Sequence, residues 1–228
     1  MNTMNITEKK LKAQVMELQK AIITTLVEMV EFRDSNTGDH SCATVKYLEV
    51  LLDGMKRQGV YCDEISCWDS QFLLPSAQLH DVGKIAISDT ILKKPGKLTE
   101  EEFNVMKKHP TIGVEVIERI EEQTSESDFL KNAKVFAATH HEKWDGSGYP
   151  AGLSGDEIPL LGRIMAIADV YDALISKRPY KEPMSAERAK SIIIDGSGTH
   201  FDPKLVSVFA SVADAFEAVH TAPLLRTA

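Results

Sequence analysis

Residues 140–150 read His140-His141-Glu142-Lys143-Trp144-Asp145-Gly146-Ser147-Gly148-Tyr149-Pro150, which places two adjacent histidines directly before a turn rich in glycine. Adjacent side chains on an ideal helix point about 100° apart, so both imidazoles can serve one site only at a helix end, where the backbone is freer. Asp145-Gly146, Gly148 and Pro150 supply that end, because glycine tolerates positive φ and proline cannot continue a helix. Imidazole is the commonest metal ligand in proteins. Two interpretations are open for this stretch alone: metal ligands at a helix end followed by a close-approach loop, or a polar turn that holds two histidines.

The length and composition are those of a soluble globular chain. Its 228 residues suffice for one large domain, or one domain and an accessory element, with 43% hydrophobic and 26% charged residues. The net charge of −8 argues against binding a nucleic-acid polymer, which needs a basic face, although metal ions can reverse the sign of a local site. No apolar run reaches the roughly 18–20 residues that span a bilayer, and residues 1–5 begin no secretion signal. Three cysteines, at 42, 62 and 67, form neither a CxxC pair nor an even set, which predicts plain thiols in the cytoplasm.

Residues 5 to about 33 predict one long helix. Its apolar residues recur at spacings of 4, 3, 4, 4 and 3: Leu11, Val15, Leu18, Ile22, Leu26 and Met29. This is close to a heptad seam, but about five turns are too few to establish a coiled coil. The helix either packs on its own domain or forms a dimerising, signal-relaying element. We favour the second interpretation and predict a homodimer through residues 8–30.

The remaining patterns predict an all-α domain over residues 31–218, with residues 1–30 as a linker-like helix and 219–228 as a tail. Thr99 and Glu102 have the spacing of a capping box at the start of one helix. Pro75 marks a start or a kink within another. The helices predicted after the first span residues 42–58, 65–79, 99–108, 112–120, 129–141, 161–176, 185–194 and 204–217. We find no alternating strand pattern and no internal repeat.

Two carboxylates stand where burial makes them costly. Asp169 lies in the apolar helical stretch 164–171, where a buried carboxylate needs a partner: a backbone amide that it caps, Arg163, Lys84 or a metal ion. His80-Asp81 also follows an apolar helix, so we expect it to point inward. A carboxylate can bridge two cations, and imidazole suits iron, manganese, zinc or nickel.

Seven residues form the candidate ligand set: His40, His80, Asp81, His109, His140, His141 and Asp169. They are too many for one ion and sufficient for two, with Asp81 bridging. Two ions about 3.5–4 Å apart can activate water and clamp a phosphoryl group.

With these residues the chain resembles the HD superfamily of metal-dependent phosphohydrolases, and the fuller motif set resembles its HD-GYP branch. The matching blocks occur in the family's order over about residues 30–210. They are His80-Asp81-Val82-Gly83-Lys84-Ile85, residues 91–99, 106–110 and 140–150, Ile158-Pro159-Leu160, residues 168–174, Arg178-Pro179-Tyr180 and residues 198–203.

The resemblance implies an HD-domain helical bundle and a phosphodiesterase that hydrolyses cyclic di-GMP to linear pGpG, with onward hydrolysis to GMP left open. It carries metal roles to the seven candidate ligands and implies two divalent ions, iron or manganese before zinc or nickel. Asp81 and Lys84 are the implied catalytic residues, and Lys84 should also meet a phosphate oxygen. Arg178 is implied to contact a phosphate or a base, and Tyr149 either stacks on guanine or packs the loop. Gly146 and Gly148 let that loop approach closely.

Some positions depart from the family pattern or stay ambiguous. Asn36 stands where some members carry a glutamate that helps hold a third metal, which favours two ions. Position 172 is an aspartate, so no basic substrate contact is expected there. His200 is predicted to be a turn residue, His220 to be solvated and Cys42 to be a packed thiol.

Two other functions remain open at this point. One is hydrolysis of a different cyclic dinucleotide such as cyclic GMP-AMP, because no base-reading residue is identifiable. The other is a non-catalytic signalling module that binds a diguanylate cyclase partner.

Overall fold

The computed structural model describes residues 2–33, 40–124, 127–177 and 182–221, and the regular elements within these ranges are helices. The all-α prediction is therefore confirmed. The α-helices are α1 (Asn2–Arg33), α2 (His40–Gln58), α3 (Cys62–Ile65), α4 (Ser70–Ala77), α5 (Asp89–Leu92), α6 (Glu100–Met106), α7 (His109–Glu121), α8 (Asp128–Thr139), α9 (Leu160–Ile175), α10 (Ala186–Asp195) and α11 (Pro203–Thr221). Two 3-10 segments, Gln78–Ala86 and Gly155–Glu157, complete the described elements.

The main core surrounds α9, which is apolar on nearly every face because α2, α8 and α10 pack against it and aromatic rings of α11 contact its Tyr171. Aromatic rings fill the space between α2, α9 and α11. Tyr47 stacks on Phe216 with ring centroids 4.9 Å apart, and both meet Tyr171 edge-on. This packing fixes α9, and with it Asp169, at the centre of the molecule.

A second, smaller core cluster joins the end of α1 to α7, α8 and the first 3-10 segment. Val27 and Val30 of α1 are buried, and Ile23 packs against the same cluster. The predicted seam lies on a different face and is exposed by 44–61%: Leu11, Val15, Leu18, Ile22, Leu26 and Met29. The helix therefore packs on its own domain near its C-terminal end while the heptad-like face stays uncovered.

Several helix boundaries differ from the predicted ones. The segment predicted as one helix over 65–79 is broken, because the Asp69 side chain accepts a hydrogen bond from the Gln71 amide at 2.9 Å and starts a new helix. Pro75 lies inside α4, and the chain then continues as the 3-10 segment Gln78–Ala86. Helix α7 begins at His109, three residues before the predicted start, with Pro110 in its first turn. Helix α11 continues to Thr221, past the predicted domain end at 218.

The buried Arg163 ties the loop before α9 to the start of α11. Its Nη1 atom donates to Asp156 Oδ1 at 2.9 Å, to Asp202 Oδ2 at 3.0 Å and to the Tyr61 hydroxyl at 3.1 Å. Arg163 thus binds other partners, and it is not the cation that pairs with Asp169.

Within the described ranges, no helix is both long enough and apolar enough to cross a bilayer.

Candidate metal centre

The fold brings all seven predicted ligands to one place, as two groups. Within each group the ligand atoms lie within 4.8 Å of one another. The first group is Asp81, His109, His140 and His141, and the second is His40, His80 and Asp169.

Six of these residues lie at helix ends or in the 3-10 segment, and Asp169 alone lies inside a long helix. The 3-10 segment can approach α7 because position 83 is glycine: a Cβ there would lie 2.0 Å from the His109 carbonyl oxygen. This close approach leaves Asp81 Oδ1 3.2 Å from His109 Nε2. A side chain at Gly83 would separate the two segments that the first group depends on.

Main-chain carbonyl groups fix the orientation of three of the histidines. The Nδ1 atom lies near a carbonyl oxygen three or four residues earlier: His80 to Ala77 at 2.9 Å, His109 to Met106 at 2.8 Å and His140 to Phe136 at 2.9 Å. A carbonyl oxygen can only accept, so each Nδ1 carries the hydrogen and, in the neutral ring, each Nε2 presents a lone pair. Burial lowers the pKa of His140, and it lowers that of His141 well below the ordinary range, so both rings are neutral.

The lone pairs point at other acceptors. His109 Nε2 lies 3.2 Å from His140 Nε2, and His80 Nε2 lies 3.4 Å from Asp81 Oδ2. Within the described residues, His80 Nε2 and Asp81 Oδ1 are buried without a hydrogen-bond partner. Hydrogen-bond acceptors this close together repel one another unless a cation lies among them. These ligand atoms therefore fit divalent metal ions.

Asp81 faces both groups. Its Oδ1 lies 3.2 Å from His109 Nε2 and 3.7 Å from His140 Nε2, whereas its Oδ2 faces His80 and accepts from Lys84 Nζ at 2.7 Å. Burial would raise the pKa of Asp81, but the charge of the Lys84 ammonium opposes that effect, and the pKa lies well below its usual range. A charged carboxylate with one oxygen toward each group has the placement that bridging requires.

His40 is held between two carboxylates, one of which the sequence interpretation passed over. Its Nε2 lies 3.5 Å from Asp169 Oδ1, and its Nδ1 lies 2.5 Å from Asp172 Oδ2. Burial lowers the pKa of His40, but hydrogen bonds to Asp169 and Asp172 outweigh it and raise the pKa to about 10. Asp172 is itself buried, three residues after Asp169 on the same apolar helix. The sequence could have indicated Asp172 by this spacing, because residues three apart on a helix share a face.

Glu142 organises the glycine-rich loop, a role that the sequence interpretation did not assign. The buried carboxylate accepts hydrogen bonds from three successive amides, those of Ala151 at 2.7 Å, Gly152 at 3.2 Å and Leu153 at 3.0 Å. Gly148 packs directly on this turn, since a Cβ there would lie 2.5 Å from the Glu142 Cα.

Tyr149 lies against the metal centre. Its ring centroid is 4.7 Å from that of His141 and 6.1 Å from that of Phe103, and it follows Gly146, which has φ +80°. The Tyr149-Pro150 peptide bond is cis. Tyr149 thus packs the loop onto a candidate ligand.

A cavity of about 620 Å³ opens beside the two groups and has Asp81, His109, His141 and Asp169 in its wall. Lys84 and four further lysines also line it, at positions 93, 94, 97 and 143. Tyr149 and Phe103 give it an aromatic side. His200 lies in a turn, as predicted, with its ring stacked on Phe201 at 4.2 Å, but it also lines this cavity.

The other predicted positions have separate outcomes. Arg178 and Asn36 lie outside the described residues. His220 is exposed near the end of α11, as expected of a solvated residue. The packed-thiol prediction for Cys42 is wrong, because its side chain lies on the outer face of α2 and is exposed.

Comparison with known proteins gives a consistent match. The HD domain family matches residues 64–205. A cyclic di-GMP phosphodiesterase of Vibrio cholerae is 48% identical over 206 residues, which cover 90% of this chain and 42% of that protein. A 3'3'-cGAMP-specific phosphodiesterase 2 of the same organism is 42% identical over 211 residues, or 92% of this chain and 38% of that protein.

The chain spans less than half the length of these two relatives. Among solved structures, Bd1817, a HDG"Y"P protein from Bdellovibrio bacteriovorus, superposes with a TM-score of 0.53 at 19% identity, over 89% of this chain and 67% of that one. At that identity the likeness concerns the fold alone.

Proposed function

The chain belongs to the HD domain family, in its HD-GYP branch, and on that premise we propose that it is a metal-dependent phosphodiesterase that hydrolyses cyclic di-GMP to linear pGpG. The observation that carries the proposal is the pairing of two ligand groups around Asp81 beside a cavity lined by lysines. Hydrolysis of a phosphodiester needs an activated water and neutralisation of the charge that develops on the phosphoryl oxygens. The site has groups suited to both needs.

In this proposal each of the two ligand groups would hold one divalent ion, and Asp81, which faces both groups, would serve both. When bound, such ions lower the pKa of water and neutralise phosphoryl charge. The imidazoles that donate Nδ1–H to main-chain carbonyls would keep their Nε2 atoms oriented to hold the ions. A mixed imidazole and carboxylate set suits iron or manganese, and zinc or nickel would also bind it.

Lys84 is proposed to act next to the attacked phosphate. Its ammonium already lies 2.7 Å from Asp81 Oδ2, on the cavity wall. A phosphate oxygen placed there would gain a charge-assisted hydrogen bond that strengthens as negative charge develops. Tyr149 offers a ring face beside His141 on which a guanine base can stack, and Arg178 is proposed as a further phosphate or base contact.

Asp81→Ala tests the site. We expect the variant to lose bound metal and turnover of cyclic di-GMP together, because Asp81 belongs to the first group and its Oδ2 also faces His80 of the second. Elemental analysis and chromatographic detection of pGpG and GMP measure the two quantities. Asp53→Ala is the matched control, since Asp53 is an exposed aspartate on α2. Retained metal and turnover in Asp81→Ala would refute the assignment.

A second cyclic dinucleotide is an alternative substrate. The 42% identity to a 3'3'-cGAMP-specific phosphodiesterase favours testing cyclic GMP-AMP beside cyclic di-GMP. A higher kcat/KM for cyclic GMP-AMP would reassign the substrate and leave the metal site intact. Full metal occupancy without turnover of any cyclic dinucleotide would instead indicate a non-catalytic module for a partner such as a diguanylate cyclase.

A homodimer through residues 8–30 is also part of the proposal. The support is the heptad-like face of α1, whose apolar side chains at 11, 15, 18, 22, 26 and 29 are exposed by 44–61%. Light scattering should give twice the chain mass, and Leu18→Asp should give a monomer, whereas the exposed Glu17→Lys should not. A monomeric wild-type chain at micromolar concentration would contradict it. A location in the cytoplasm remains a proposal from the cysteine pattern.

A further inference from the structure

Five lysines line the cavity beside the metal centre, in a chain whose net charge is −8. Three of them have carboxylate partners: Lys84 with Asp81 at 2.7 Å, Lys93 with Asp89 at 3.2 Å and Lys94 with Glu102 at 2.5 Å. Lys97 and Lys143 make no ion pair within the part of the chain that the structure describes. Both lysines therefore add positive charge to the wall of the same cavity, and the Lys143 ammonium also interacts with the exposed Asp145 carboxylate.

The loop that carries Lys97 is anchored on both sides. Before it, Lys94 pairs with Glu102 of α6, and after it the capping box of Thr99 and Glu102 closes the start of that helix, with the Thr99 amide 2.7 Å from Glu102 Oε2. Lys97 thus projects from a short segment that is fixed at residues 94 and 99. Such fixation lowers the entropy that a ligand must remove when it binds.

Lys143 lies on a different segment, two residues after the histidine pair of the first ligand group. Glu142 next to it is buried and holds the following loop through three amides. Lys143 also acts on His200, which lines the cavity. Burial, and then the charge of Lys143, lower the pKa of His200 to about 4. Lys143 is therefore a partly buried cation beside, but outside, the ligand set.

One phosphodiester group at the metal centre would engage Lys84 beside Asp81 and leave Lys97 and Lys143 available for a second anion in the cavity. A cyclic dinucleotide carries two phosphodiester groups in one ring, so its second phosphate must lie in the same cavity. We propose that Lys97 and Lys143 form a subsite for the phosphate that is not attacked, and that this subsite makes the enzyme selective for substrates with two phosphodiester groups. This inference rests on the proposed function and concerns the same cavity.

The test compares two substrates in one set of variants. Cyclic di-GMP has two phosphodiester groups, whereas bis(p-nitrophenyl) phosphate has one. The variants are Lys97→Ala, Lys143→Ala and their combination. Lys97→Arg and Lys143→Arg keep the charge, and Lys56→Ala removes an exposed lysine of α2 that does not line the cavity.

We expect the ratio of kcat/KM for cyclic di-GMP to kcat/KM for bis(p-nitrophenyl) phosphate to fall about tenfold for each lysine removed, mainly through KM. The arginine variants should keep most of the ratio, and Lys56→Ala should keep all of it. The effect should shrink as salt is added, since the contacts are between partly exposed charges. A ratio that is unchanged in the double variant would overturn the subsite, whether neither kcat/KM falls or both fall by the same factor.

A binding measurement separates this inference from the proposed function. Calorimetric titration of Asp81→Ala protein with cyclic di-GMP needs no turnover, and the double lysine variant in that background should bind about a hundredfold more weakly. If wild-type protein cleaves no cyclic dinucleotide but this difference in binding persists, the proposed function fails and the subsite stands. If binding is the same with and without the two lysines, the subsite fails whatever the turnover.

Discussion

At the scale of single residues, the site is governed by which atoms face each other. His40 Nδ1 lies 2.5 Å from Asp172 Oδ2, so its other nitrogen is directed toward Asp169 and the second ligand group. A carboxylate behind a ligating imidazole sets the tautomer and makes the nitrogen more basic. We therefore propose that Asp172 is a positioning residue that would act on a bound metal through His40.

Substitution of Asp172 should weaken metal binding without removing a ligand. We expect Asp172→Asn to lower metal affinity about tenfold and Asp172→Ala up to about a hundredfold, because the amide oxygen can still accept from Nδ1 and a methyl group cannot. Competition with a chromogenic chelator measures the affinity. Asp195→Asn, at an exposed position of α10, is the control. Unaltered affinity in both Asp172 variants would show that the hydrogen bond does not orient His40.

His200 gives the stability a dependence on pH. Burial, and then the charge of Lys143, lower its pKa from 6.5 to about 4. Between those values the unfolded chain binds a proton that the folded chain does not, so stability falls as pH falls through this window. The shift corresponds to roughly 3 kcal/mol, and partial exposure of the ring reduces the expected effect to about 2 kcal/mol.

His200→Gln should remove this contribution. In chelator-treated protein, the free energy of unfolding of the variant relative to wild type should rise by about 2 kcal/mol between pH 6.5 and pH 4. Urea denaturation across that range measures the difference, and other titrating groups cancel because both proteins share them. A difference that stays constant with pH would mean that His200 is not held neutral.

At the scale of elements, the loop after α8 is held by a side chain more than by regular structure. The Glu142 carboxylate takes three successive amides, at 151, 152 and 153, and thereby sets the path of the chain that presents Tyr149 to His141. The loop can approach the ligand group because Gly148 leaves no Cβ against Glu142.

Glu142→Ala should loosen this loop. Three amides lose their acceptor, and we expect unfolding to become easier by about 2 kcal/mol, with faster hydrogen exchange at residues 151–153. The KM for cyclic di-GMP should rise because Tyr149 is no longer held against the cavity. Glu118→Ala, on the exposed side of α7, should change none of these quantities. Unchanged exchange at the three amides would exclude the role given to Glu142.

At the scale of the whole molecule, the metal centre joins segments that are far apart in the chain. The seven candidate ligands come from α2, the first 3-10 segment, α7, the end of α8 and α9. These segments belong to both core clusters, since α9 is central to the first cluster and α7 and α8 form much of the second. Bound ions would therefore hold the two parts of the core together.

Removal of the metal should lower thermal stability. Binding at a hundredfold excess over Kd stabilises a protein by about 2.7 kcal/mol per ion, so two ions predict a Tm about 10 °C higher in loaded protein than after chelation. Scanning calorimetry of chelated and reloaded protein measures the shift. Asp81→Ala protein should show almost none of it. Equal Tm values for the loaded and chelated wild-type protein would contradict a structural contribution of the ions.

The candidate ligands could be identified from the sequence because their residue types stand at unusual positions. A carboxylate in an apolar helix, Asp169, is unusual, and so is a histidine pair at a helix end, His140-His141. Both features can be recognised from the sequence alone. The face of α1 that packs was not predictable in the same way. The heptad-like face gave the stronger sequence pattern, but it is exposed. The domain covers only the C-terminal end of the helix, where Val27 and Val30 of another face are buried.

The sequence by itself determined the all-α class, the seven candidate ligands and the family, because helical periodicity, capping and ligand type are local properties. Only the tertiary structure decided how the ligands divide into two groups, that Asp172 stands behind His40, and that Lys97 and Lys143 share a cavity. His40 and Asp172 are 132 residues apart in the chain, and their contact exists only once α2 packs on α9. For His140 and His141, the sequence identified the two imidazoles as candidate ligands. The packing of the helices determined which other ligand atoms they face.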